Sequence, residues 1–122
     1  MTATVKTRPE SKEIARLAAE AASEKQASDI LVLDIRRVTL LADYFVICSA
    51  QTERQLQTVV EEVEEQLGRA GVELLGREGT ADSGWAVLDF GDVIVHVFRP
   101  QERAYYRLEE VWAEGTPVVR II

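Results

Sequence analysis

The chain has 122 residues, a single-domain length able to bury a core without disulfide or metal staples, and 47% hydrophobic with 29% charged residues excludes wholesale disorder. No apolar run reaches 18 residues and the polar start MTATVKTRPESKE has no secretory h-region, so a transmembrane helix is excluded and a cytoplasmic location expected. Twenty-one acidic against fourteen basic residues leave a net charge of −7, which disfavours nucleic acid and suits a basic protein partner or solubility alone, while one Cys and one His exclude a disulfide scaffold and a structural zinc site.

In chain order, residues 1–10 read as a flexible tail. Thr7 with Glu10, or alternatively Ser11, offers a helix cap. Ile14, Leu17, Ala18 and Ala21 recur at i, i+3, i+4, i+7, predicting an amphipathic helix to about Lys25. Ile30 to Ile35 (ILVLDI) is a strand too apolar to be half-exposed, and belongs in the sheet interior. Tyr44 to Cys48 (YFVIC) is a second strand. Thr52 with Gln55 then has capping-box form, opening a helix with Leu56, Val59, Val60, Val63 and Leu67 on one face, which ends at Gly68 or Gly71.

A weak strand is expected near Val72 to Leu75, then a Gly-rich charged loop from Gly76 to Gly84. Trp85 to Phe90 and Val93 to Arg99 flank Gly91-Asp92, a hairpin signal, because glycine supplies the positive φ of a primed turn. Pro100 ends the ladder, and Tyr105, Leu108, Val111 and Trp112 predict a third helix over about 101–112. Val118 to Ile122 adds a short edge strand or lies on the surface. The order predicts one α/β domain over 11–122, with a mixed five-stranded sheet flanked by about three helices. The segment from Tyr44 through Leu75 forms a right-handed β-α-β unit if its strands are parallel.

Cys48 and His96 are the only nucleophile and imidazole, and both sit in strands. A reactive thiolate needs partial exposure and an electropositive neighbour. Both are therefore read as structural and dispensable for function, with His96 sharing a strand face with Ile94 and Phe98. Nucleotide transfer is a second enzymatic idea, with Asp43, Asp89 and Asp92 as magnesium ligands. The turn Ser49-Ala50-Gln51-Thr52, however, has no glycines for close phosphate approach, and no Asp-x-Asp pair shares a strand face. Glu61 to Glu65 reads as a solvated helix face. Trp85, opening a strand after a glycine-rich loop, is either a protruding binding anchor or a core residue. In the first case Glu78 and Gly79 belong to an acidic rim, Leu88 supplies apolar contact, and Asp89 supplies a charge for Lys or Arg.

The runs DYFVICSAQTERQLQTVVEEV and WAVLDFGDVIVHVFRPQERAYYRLEEVW resemble the ribosomal silencing factor (Iojap-like) family over roughly Ile14 to Trp112. Matching positions are Asp43, Phe45, Ser49, Arg54 and Gln55, then Glu78, Gly79, Trp85, Leu88, Asp89, Gly91, Asp92, His96, Arg103, Tyr106, Leu108, Glu109 and Trp112. Ala50 departs from the family's more frequent glycine. The resemblance implies a non-enzyme without metal or cofactor and with a nucleotidyltransferase-like outline. It also implies binding to the large ribosomal subunit through the basic ribosomal protein L fourteen, which blocks joining of the small subunit and lowers translation under nutrient limitation. Homodimers are implied too. The alternatives are a nucleotidyltransferase-like enzyme and an acidic binding module for another basic protein.

Overall fold

A computed structural model describes residues 8–122. The alternation of side chains along each strand builds the molecule in layers. Six strands form one sheet: β1 (Ser28–Asp34), β2 (Tyr44–Ser49), β3 (Gly76–Glu78), β4 (Trp85–Asp89), β5 (Val93–Phe98) and β6 (Thr116–Ile121). Their spatial order is β3-β4-β5-β2-β1-β6. β2 and β5 run parallel, and every other neighbouring pair is antiparallel.

One face carries Ile30, Val32, Tyr44, Val46, Cys48, Ala86, Leu88, Val93, Val95 and Val97, and packs on α1 (Ser11–Glu24) and α2 (Glu53–Arg69). These helices present the two stripes legible in the sequence, including Ile14, Ala18 and Ala21 from α1 and Leu56, Val60 and Val63 from α2. The opposite face carries Leu31, Leu33, Phe45, Ile47 and Phe98, and is covered only in part, by Leu108 and Trp112. β1 lies inside the sheet, as its apolar run requires.

The helix starts differ in chemistry. Thr52 Oγ1 accepts from the Gln55 amide at 3.0 Å, as the capping box demands. The Gln55 side chain accepts from the Gln51 amide rather than that of Thr52, and its Nε2 donates to the Lys25 and Gln26 carbonyls, tying α2 to the α1–β1 turn. Ser11 does not cap α1. Its hydroxyl donates to Asp43 Oδ2 at 2.8 Å, and Glu10 stands at the cap without a side-chain bond. Thr7 and the rest of residues 1–7 lie outside the described residues. Arg8 Nη2 donates to the Phe90 carbonyl at 2.5 Å.

Three expectations need correction, and the condition set for a β-α-β unit is not met. The sheet has six strands, because β6 pairs antiparallel with β1, with Val119 opposite Val32. Pro117 is tolerated there because β6 is an edge strand. The weak third strand begins at Gly76 rather than Val72. Val72 is spent on the helix-side core, and Leu75 makes the first bond toward β4, its amide donating to the Asp89 carbonyl at 2.8 Å. β2 finds its parallel neighbour in β5, whereas β3 pairs antiparallel with β4. The last helix is two pieces, α3 (Pro100–Tyr106) and the single turn α4 (Leu108–Val111). They are broken at Arg107, whose φ of 50° is left-handed. The break turns Leu108 and Trp112 onto the second sheet face, where Trp112 meets Phe45 edge-on at 5.1 Å.

The Gly91 hairpin forms as read, with Phe90 and Val93 paired across it and Gly91 at φ 91°. The Gly91 amide also donates to Asp89 Oδ1 at 2.8 Å.

Candidate functional site

Because only Leu108 and Trp112 cover the second sheet face, its β4–β5 half stays open. There lies a groove of about 540 Å³ lined chiefly by Phe45, Trp85, Val87, Ile94, His96 and Tyr106, with Glu78 and Gly79 along one side. A second hollow of about 340 Å³ continues it along β4 to Asp89, the two sharing Glu78, Val87 and Ile94. The result is an elongated trough, aromatic at one end and charged at the other, where Arg77 lines it beside Glu78 and Asp89.

Trp85 is neither the free protrusion nor the core residue that the sequence left open. It is half-buried, forming the trough wall. Its ring stacks on Phe98 at 4.8 Å between centroids and lies 4.6 Å from Tyr106. Its indole Nε1–H donates to His96 Nδ1 at 3.2 Å. Gly79 approaches so closely, at φ 76°, that a Cβ there would collide with the Trp85 carbonyl oxygen. Its presence is thus explained by packing beneath the wall.

Glu78 is exposed at the trough edge, and among the described residues no hydrogen bond or ion pair holds its side chain. Asp89 is half-exposed at the far end, where one oxygen is committed to the Gly91 amide. Leu88 must be corrected. It sits on the opposite face of β4 from Trp85, fully buried against the helices, because side chains alternate along a strand. It cannot supply surface contact. Phe45, Ile94, His96 and Tyr106 were not read as site residues. The parity of Ile94, His96 and Phe98 was visible in the sequence, but not which sheet face the helices leave uncovered.

His96 is 6% exposed, and burial lowers its pKa to about 4. At neutral pH the ring is neutral. Since Nδ1 accepts from Trp85, the proton resides on Nε2. Among the described residues nothing pairs with that nitrogen. The hydrogen-bonded sheet histidine expected from sequence is therefore present but only half satisfied. Cys48 is fully buried on the helix side, its thiol pushed up to about 12 by desolvation, a poor nucleophile. Among the described residues no three His, Cys, Asp or Glu side chains gather as a metal site.

A second polar cluster braces the neighbouring end of the sheet. Arg103, 6% exposed, donates through Nη1 to the Asp29 carbonyl at 2.6 Å and to Ser49 Oγ at 2.9 Å. Its Nε donates to Glu109 Oε2 at 2.9 Å. One side chain thus joins β1, β2, α3 and α4.

Fold and site together define a class: a single α/β domain in which two helices cover one face of a mixed sheet and an aromatic trough marks the other. The model of the family described as "Ribosomal silencing factor during starvation" matches residues 8–121. The chain is 41% identical to ribosomal silencing factor RsfS of Bacillus subtilis over 104 residues, covering 85% of this chain and 88% of that one. It is 38% identical to the chloroplastic protein Iojap of Zea mays over 100 residues, covering 82% of this chain and 43% of the maize protein. A crystal structure from Chromobacterium violaceum superposes with a TM-score of 0.84 at 33% identity, covering 93% and 94% of the two chains. The chain belongs to the ribosomal silencing factor family.

Proposed function

We propose that this protein silences translation by binding the large ribosomal subunit through the basic ribosomal protein L fourteen, sterically blocking the small subunit. Family membership supports the ribosome-associated silencing role. The observation that carries the mode of binding is the trough. It offers Trp85 and Tyr106 as apolar anchors above a floor that includes buried Phe45, and Glu78 and Asp89 as acids on a chain of net charge −7. An aromatic centre with an acidic rim suits a basic protein surface, the aromatics supplying affinity and the charges steering encounter. No catalytic step is part of this proposal, since the thiol is buried and the imidazole is engaged with Trp85. The setting is the cytoplasm, and among the described residues no helix is long and apolar enough to cross a membrane.

We propose in addition a homodimer through β6. That strand pairs with β1 on one side and leaves its other edge open, with Val118 and Ile121 exposed. Light scattering at micromolar concentration, with and without residues 117–122, tests it. A monomer in both forms removes the dimer.

The silencing role itself is tested by reassociating purified ribosomal subunits with excess protein and resolving them on a sucrose gradient. A shift from intact ribosomes to free subunits is expected, with binding that weakens as salt rises. An undisturbed intact-ribosome peak at saturating protein refutes it.

A further inference from the structure

The trough holds one polar atom that the fold leaves without a partner. His96 lines the trough, Trp85 fixes its tautomer through Nδ1, and its Nε2–H, without a protein acceptor, lies just below the lining surface, so that an occupant reaches it by displacing neighbouring side chains. A buried donor without an acceptor is unfavourable, and it becomes a source of selectivity when a ligand brings the missing acceptor. The surroundings decide what that acceptor is. A carboxylate or phosphate would have to pass Glu78 and enter a chain of net charge −7, so an anionic acceptor is disfavoured. Apart from Glu78 and Ser83, whose hydroxyl is engaged with the Thr80 carbonyl, the lining is chiefly aromatic and aliphatic, so an apolar group must arrive together with the acceptor. A polypeptide segment that inserts an apolar side chain carries its own neutral carbonyl beside it, and basic flanking residues would face Glu78 and Asp89.

We propose that His96 selects the occupant of the trough, donating from Nε2 to a main-chain carbonyl of a basic protein loop whose neighbouring apolar side chain seats against Trp85. This rests on the partner-binding reading above, replaces the expectation that His96 is dispensable for function, and adds a specificity-determining residue and the chemistry that residue recognises.

The test uses the full chain, fluorescently labelled and titrated with purified large ribosomal subunits, alongside His96→Phe and His96→Gln. Phe keeps the ring contacts to Phe45 and Phe98 but removes both the Nε2 donor and the Nδ1 acceptor of Trp85, whereas Gln restores a donor and an acceptor. The expected result is a loss of about tenfold or more in affinity for His96→Phe at a native melting temperature, with most of it recovered in His96→Gln. Wild-type affinity in a folded His96→Phe overturns the proposal, as does equal loss in both variants. Should His96→Phe fail to fold, the wild-type chain labelled with ¹⁵N-histidine decides, titrated with isolated ribosomal protein L fourteen. The Nε2–H resonance is expected to move on binding, and an unmoved resonance in the complex overturns the donor role. Failure of the wild-type chain to bind large subunits at all overturns the partner reading and this proposal together, and is distinguishable because it precedes any variant.

Discussion

The indole Nε1–H of Trp85 donates to Nδ1 of His96 at 3.2 Å, across the β4–β5 pair. One bond therefore sets both the pose of the trough wall and the tautomer of the imidazole below it. A ring held by stacking on Phe98, a tilted contact with Tyr106 and a directed hydrogen bond needs little further ordering on binding, which favours its use as an anchor.

Trp85→Ala is expected to separate folding from binding. The side chain is half-buried, so its removal costs about 1–2 kcal/mol of stability, less than the 3–5 of a fully buried tryptophan. Large-subunit binding is expected to fall by about 2 kcal/mol or more. Thermal unfolding and binding measured side by side check this; a collapsed fold or unchanged affinity contradicts it.

Leu88→Ala should behave in the opposite way. Fully buried beneath α2, it is expected to cost about 2–5 kcal/mol in urea unfolding, while the fraction that folds binds normally.

Helix stripes, the interior position of β1, the α2 cap and the Gly91 hairpin were legible because each is a local signal of period, turn chemistry or capping. Two features were not, or were left between two readings. The split at Arg107 depends on where Trp112 must land against Phe45, a contact 67 positions away in sequence. β6 is written in a Pro-containing segment whose strand character comes from its pairing with β1. The site was half-legible. Trp85, Glu78, Gly79 and Asp89 could be picked from one stretch, but separating the outward Trp85 from the inward Leu88 required knowing which face α1 and α2 cover.

His96 should make stability pH-dependent. Burial depresses its folded-state pKa to about 4 from the ordinary 6.5, so between those values the unfolded chain binds more protons. Its contribution is complete above pH 6.5, declines as pH falls, and is lost by pH 4, a change of about 3 kcal/mol. Urea unfolding at pH 7.5 and 4.5 should therefore show a larger loss for wild type than for His96→Phe, and equal losses contradict this.

Cys48 is expected to resist a disulfide-exchange reagent at pH 8 in the native protein and to react fully once unfolded, because its thiol is buried and held neutral. Cys48→Ala should still bind large subunits.

Arg103→Met should destabilise by about 1–3 kcal/mol, since it leaves the Asp29 carbonyl and the partly exposed Glu109 without their buried partner. Chemical denaturation checks this, and a change below 1 kcal/mol would remove the bracing role.

The central claim, that the trough docks the chain on the large ribosomal subunit, is tested most directly by co-sedimentation. Wild-type protein and Trp85→Ala are each centrifuged with purified large subunits and, separately, with purified small subunits. Wild type is expected to pellet with large subunits alone, and Trp85→Ala to stay in the supernatant while remaining folded at the assay temperature. Wild type remaining in the supernatant, or Trp85→Ala pelleting as wild type does, would contradict it.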